Sequence, residues 1–207
     1  DLRHASLPGV KNVYIESSYR GHKVQPGTYT IKVSTEKGAA STKGVVLPHP
    51  LYAVSESDWM DYHNIMSDME AKVLEMHTMV AQLEGVLNQV VNKLKKIEKS
   101  EATAKVLEMG EALVKDIKSW DEDMVQRKSK AYDDVENFPN KFTANYMFLM
   151  NQTESQIPRV NKGTRDRKSE LDREWETLKS RGRHLLDERI AQFNQMAQDA
   201  GIGVIGY

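Results

Sequence analysis

The chain has 207 residues, 39% apolar and 29% charged, with a formal net charge of −1 and no cysteine. Near-neutral charge with Lys and Glu interleaved provides no field to draw in nucleic acid or an anionic membrane, and no apolar run approaches the ~20 residues that span a bilayer. The lack of cysteine excludes disulfides, zinc–thiolate sites and cysteine nucleophiles, and the length admits one or two domains.

Residues 1–54 are rich in Gly, Pro and Thr, and read as strands. Val13, Ile15 and their neighbours suggest a short first strand. Thr28 to Thr35 places Tyr29, Ile31 and Val33 on one face, and Val45 to Leu47 follows the turn-like Glu36-Lys37-Gly38. The last two runs predict a hairpin, opened by Pro26-Gly27 and closed by Pro48 and Pro50, because proline cannot donate to a ladder. Three short strands cannot bury two sheet faces, so this part reads as the closing strands of an incomplete β-sandwich. Asp1 begins in mid-pattern, as expected of a fragment or of a chain that has lost a leader.

Residues 55–207 change to helical texture. Ser55-Glu56-Ser57-Asp58 is a helix start, with a serine to accept from free amides and acids at the positive end of the dipole. From Trp59 to Ile97 one heptad seam carries Trp59, Met66, Val73, Val80, Leu87 and Leu94, and the other carries Tyr62, Met69, Met76, Leu83, Val90 and Ile97. That spacing predicts one helix of about 42 residues, roughly 63 Å long. Ile65, Met79 and Val86 add a third apolar column, which asks for two helical neighbours.

The phase is lost around Lys99 to Thr103. A second helix with Val106, Met109, Leu113, Ile117, Trp120 and Met124 is predicted to run back to about Tyr132. Asn137-Phe138-Pro139 interrupts it, and a third helix from about Asn140 to Gln156 carries Phe142, Tyr146, Leu149 and Met150. Pro158 to Gly163 reads as a turn with Thr164 as cap. A fourth helix with Leu171, Trp175, Leu178, Leu185, Ile190, Phe193 and Ala197 is expected to end near Ala200, before Gly201-Ile202-Gly203. The second and third helices together span roughly 72 Å and the fourth roughly 54 Å. Three comparable arms result, which favours an elongated antiparallel three-arm bundle, its middle arm broken at Pro139 without reversal, over a four-helix bundle. Phe142 to Leu149 should then lie near Trp59 to Met69.

No residue set carries recognisable site chemistry. His63 and His77 lie on the first helix about 21 Å apart, whereas a helical metal pair needs a spacing of three or four; packing at the rim is the expected use. Asp121-Glu122-Asp123 and Asp133-Asp134 lack the alternation and turn glycine of a calcium loop, and read as solvated helix ends. Arg159, Lys162, Arg165, Arg167 and Lys168 are interrupted by Asp166 and Glu170, as on a solvated face. Lys37-Gly38 and Lys162-Gly163 read as turns rather than phosphate loops, and no serine sits in a nucleophile elbow. Asn151-Gln152-Thr153 matches a glycosylation sequon inside a predicted helix. Met60, Met66, Met69, Met76 and Met79 read as core filling rather than an adaptable groove. No catalytic residue, metal or cofactor is expected.

Asp1-Leu2-Arg3-His4-Ala5, followed by Val24-Gln25-Pro26-Gly27-Thr28-Tyr29-Thr30-Ile31-Lys32-Val33, resembles the region after the β-propeller in large exported bacterial proteins of the sortilin-like, BNR-repeat type, often labelled glycosyl hydrolases. Asn137 to Phe142, and the tail from Phe193-Asn194 through Ala200-Gly201-Ile202, continue the likeness. The family's aspartate-rich ending of the last strand is replaced by Pro48-His49-Pro50. The resemblance implies that residues 1–54 are the terminal strands of an immunoglobulin-like domain and that 55–207 form a helical segment. It also implies export, with any ligand or catalytic site in a propeller that is absent here. The expected function is a non-catalytic interaction module whose partner is another protein or that upstream propeller. Two alternatives are an accessory part of a glycoside- or peptide-processing enzyme with its active site upstream, and a free-standing coiled-coil adaptor.

Overall fold

The alternation of Tyr29, Ile31 and Val33 does form a hairpin in the computed structural model, which describes residues 2–155 and 158–206. Strands β1 (Gly27–Thr35) and β2 (Gly38–Val46) pair antiparallel, with Thr35 opposite Gly38 across the two-residue turn Glu36-Lys37. Tyr29, Ile31 and Val33 oppose Gly44, Thr42 and Ala40, so that face is an apolar shelf of large side chains beside small ones. The other face is dominated by Thr, Ser and Lys. Apart from Gly44 and Val46, both strands are exposed along their whole length.

No strand forms at Val13 and Ile15. Residues 2–24 instead make an irregular loop closed by one bridge between Arg3 and Lys23, with amide bonds from His4 to His22 O, Leu7 to Tyr19 O and Val24 to Leu2 O. The local alternation that suggested a strand is overridden by burial: Val10 and Ile15 join the core of the helical part, with Leu7, Val13 and Tyr19 packed beside them.

Helix α1 (Glu56–Leu94) begins as the sequence predicts. The Ser55 hydroxyl accepts from the Asp58 amide, and the Asp58 carboxylate accepts from the Ser55 amide. Its 39 residues extend about 58 Å. Tyr62, Met66, Met69, Val73, Met76, Val80, Leu83 and Val90 are buried, and so are Met79 and Val86 of the third column. Trp59, Leu87 and Leu94, nearer the helix ends, are partly covered.

Helix α2 (Ala104–Met124) packs on the C-terminal half of α1, with Leu94 against Gly110 at one end. It stops eight residues before the predicted end at Tyr132, because Val125 turns to extended backbone and is buried. Arg127 holds that departure: its guanidinium donates to both oxygens of Asp121 at 2.6 Å and to Glu84 at 3.1 Å. Beyond it, the Asp134 carboxylate accepts from the amides of Lys130 and Ala131 and sets a short 3₁₀ turn, Tyr132–Glu136. Side chains competing for backbone and for each other end this helix, not loss of apolar periodicity.

Helix α3 (Phe142–Ser155) lies on the N-terminal half of α1. Phe142 stacks on Trp175, which donates to Glu75 of α1 at 3.2 Å, and Glu154 near the other end of α3 pairs with Arg3. Helix α4 (Lys162–His184) is capped by Asn161, whose side chain accepts from the Thr164 amide at 2.8 Å; Thr164 was the expected cap and lies inside the helix. Lys162-Gly163 accordingly belongs to the first helical turn. A π turn (Leu185–Arg189) joins α4 to α5 (Ile190–Asp199) without a break in helical backbone. After Gly201 the tail folds back. The Asn194 amide group donates to Ile205 O at 2.9 Å and accepts from Ile205 N at 2.8 Å, while Gln89 and Lys93 of α1 hold Gly206 and Gly203.

Candidate functional site

The loop of residues 2–24 brings together three of the six histidines in the chain. His4 and His22 face each other across the short ladder around Arg3 and Lys23, and His63 comes from the second turn of α1. Gly21 makes the approach possible: a Cβ there would meet His4 O at 2.4 Å and Ala5 O at 2.5 Å. The His22 ring is 1% exposed and lies parallel to His4, with centroids 4.1 Å apart, and against the edge of Tyr62. Its Nε2 is 2.8 Å from His63 Nδ1. One donor nitrogen from each ring can be chosen so that all three lie within 4.8 Å of one another.

Glu70, two turns along α1, supports this cluster from below. Its Oε1 accepts from the His22 amide at 2.7 Å and stands 2.9 Å from His22 Nδ1. The second approach has the distance of an ion pair without the alignment of a hydrogen bond, so Nδ1 is buried with no aligned partner. Burial, and then the neighbouring rings, hold the His4 and His63 imidazoles below their ordinary pKa, which favours neutral rings with free lone pairs.

His63 and His77 share a helix without sharing a site, because the partners of His63 come from the N-terminal loop. His77 is buried, with Nδ1 2.6 Å from Pro8 O, and burial lowers its pKa. It packs beneath the N-terminal loop beside Tyr19. No local spacing links His4, His22 and His63. The nearest sequence signal is the Gly21-His22 pair, a glycine of the kind that marks close backbone approach.

The remaining candidates disperse. Asp121 pairs with Arg127 and Asp123 with Arg181. Asp134 caps the 3₁₀ turn beside Asp133. Each member of the basic run has an acidic partner: Arg159 with Asp58, Lys162 with Asp166, Arg165 with Asp61, Arg167 with Glu170, and Lys168 with Asp68 and Asp172. The last pair belongs to a lattice that includes Lys72 and the Tyr146 hydroxyl, which donates to Asp172 at 2.8 Å. Burial opposes ionisation of Asp68 and Asp172, but hydrogen bonds from the two lysines outweigh it and hold both carboxyls low. Asn151 of the sequon bonds Ser17 from within α3. Met66, Met69, Met76 and Met79 are buried, and Met60 is exposed.

Next to the histidine cluster, a cavity of about 1110 Å³ opens between the hairpin base and the helices. Pro26, Leu47, Pro48 and Tyr52 line one side, and Trp59 and Tyr62 the other, with Glu154 and Arg159 at its rim. The Trp59 indole nitrogen is buried without a hydrogen-bond partner. No family model, curated protein or solved structure matches this chain.

Proposed function

We propose that the chain is a non-catalytic interaction module, and that its partner is a β-structured domain which packs on the hairpin. The observation that carries this reading is the uncovered shelf of Tyr29, Ile31 and Val33, with Ile31 54% and Val33 61% exposed. Two edge strands with free backbone groups flank it, and the opposite face is polar. A surface apolar on one face and polar on the other is half of a sheet-on-sheet interface. An immunoglobulin-like sandwich completed by strands from upstream satisfies both the face and the edges. This is the arrangement implied by the resemblance to the post-propeller region of exported BNR-repeat proteins, with the partner propeller and any glycoside- or peptide-processing site lying upstream.

In this reading the helices form an elongated three-arm antiparallel bundle. Supporting it, α2 contacts α1 from Leu94 toward Glu84, and α3 carries on from the level of Glu75 toward Tyr62, so the middle arm resumes after Pro139 in the same direction. Intramolecular cover of Met66 through Val90 argues against a free-standing adaptor that dimerises through α1.

The test is the reading frame before Asp1 and the behaviour of the hairpin within it. If β repeats precede Asp1, the longer chain should protect the amides of Gly27–Thr35 from hydrogen exchange, and Ile31→Lys with Val33→Lys should remove that protection. A frame that starts close to Asp1, or a hairpin that exchanges equally fast in both chains, would refute the proposal.

A further inference from the structure

The histidine cluster is unrelated to the docking face and has its own chemistry. Three imidazoles drawn from Leu2–His22 and from α1 converge at one point, one of them buried, and each ring has a nitrogen that can serve as a metal ligand. We propose that His4, His22 and His63 bind one divalent transition-metal ion of the zinc class, through His22 Nε2, His63 Nδ1 and one nitrogen of His4, with the fourth position open to solvent.

Imidazole nitrogen suits zinc, nickel and copper rather than magnesium or calcium. At Zn–N distances of about 2.0–2.1 Å, two tetrahedral ligands stand roughly 3.3 Å apart. The His22–His63 pair at 2.8 Å therefore opens by about half an ångström to admit an ion. The widest gap, 4.8 Å or less, closes by at most roughly 1.5 Å. His4 makes that movement. Its ring is on the exposed side and leaves its stacked position on His22 by turning about its own side-chain bonds, whereas His22 is fixed by its surroundings. Glu70 supplies the carboxylate that metal-bound histidines commonly keep behind the ring. With Nε2 on the ion, the proton of His22 resides on Nδ1, 2.9 Å from Glu70 Oε1, and that now unaligned contact becomes a true pair. The ion would tie the N-terminal loop to α1. Without it, the loop is held there by Arg3 on Glu154, His77 on Pro8, and Asn151 on Ser17.

The test uses the full chain carrying no added histidines, stripped with chelator and titrated with Co²⁺. We expect one equivalent bound with the visible bands of a four-coordinate nitrogen site, displacement by Zn²⁺, and a higher melting temperature with Zn²⁺. His4→Gln and His63→Gln should each weaken binding at least tenfold, and Glu70→Gln by about tenfold or more, each with unchanged far-ultraviolet circular dichroism. His49→Gln, at an exposed ring outside the cluster, should change nothing. His4 is exposed, so its variant reports on binding even if a change at His63 disturbs folding. No saturable uptake by the stripped chain, uptake that survives His4→Gln with His63→Gln, or uptake lost in His49→Gln would each overturn the proposal. In the first case the cluster serves only as a hydrogen-bonded anchor.

Discussion

Replacing Leu83 with alanine tests whether the long helix is satisfied by its own chain. Leu83 is 1% exposed at the middle of α1, while Leu74 on the same helix is 46% exposed. Truncating leucine removes three carbons, about 2.4 kcal/mol of transfer free energy at ~0.8 kcal/mol each. The cavity left behind raises the total to roughly 3–4 kcal/mol, inside the range of about 2–5 kcal/mol for buried leucines. For a chain of this size that lowers the melting temperature by roughly 6–16 °C. Leu74→Ala should cost less, about 1 kcal/mol, because roughly half of that side chain is already in water and no closed cavity is left. Urea denaturation followed by circular dichroism, at a low and a high protein concentration, measures both. Equal losses for the two variants, or less than about 1 kcal/mol for Leu83→Ala, would show that the seam is not packed as described. A loss that depends on protein concentration would show that a second copy supplies the cover.

Three further outcomes follow from the packing and the titrating groups. Burial holds the pKa of His77 below 6.5, so its unfolded form binds the extra proton: stability should be full above about pH 6.5 and fall as the pH drops from there toward the folded pKa. Replacing His77 with glutamine should make that part of the urea-midpoint profile less steep, leaving the share of His4 and His63; an unchanged slope would assign all of it to other groups. Gly182→Ala should cost about 1–3 kcal/mol, because a Cβ there meets Met79 Sδ at 2.3 Å and the Trp120 ring at 3.1 Å, and that ring is fixed by its 2.7 Å bond to Leu178 O. A neutral result in the same melt would mean that Met79 swings aside freely. Ile31→Lys should leave the stability of the isolated chain within about 0.5 kcal/mol, since the side chain has little cover to lose.

The helices and the hairpin were legible because each announces itself locally. The seam from Trp59 to Ile97, the Ser55 start, the Pro139 interruption and the alternation at Tyr29, Ile31 and Val33 all rest on residues within a few positions of one another. What was missed depends on distant partners. Val13 and Ile15 look like a strand until Tyr19, His77 and α1 are present to pack against. The end of α2 is decided by Arg127 choosing Asp121 and Glu84, which apolar periodicity does not register. The histidine cluster is the extreme case: 18 positions separate His4 from His22 and 41 separate His22 from His63, and only the closed N-terminal loop makes them neighbours.

The π turn at Leu185–Arg189 governs where Ile205 and Gly206 dock. At about 100° per residue, an unbroken α-helix would carry Ile190, Phe193 and Ala197 roughly 60° around the axis from the line of Leu171, Trp175, Leu178 and Gly182. Yet all seven are buried. The wider turn winds more slowly and absorbs the difference, letting Leu185 and Leu186 both face inward. Asn194 follows Phe193 by one residue, so its azimuth is set by the same correction, and with it the landing point of Ile205 beside Gln89 of α1. One slow turn thus aims Gly203 to Gly206 from about fifteen positions upstream, and the aim is angular rather than a matter of length or affinity.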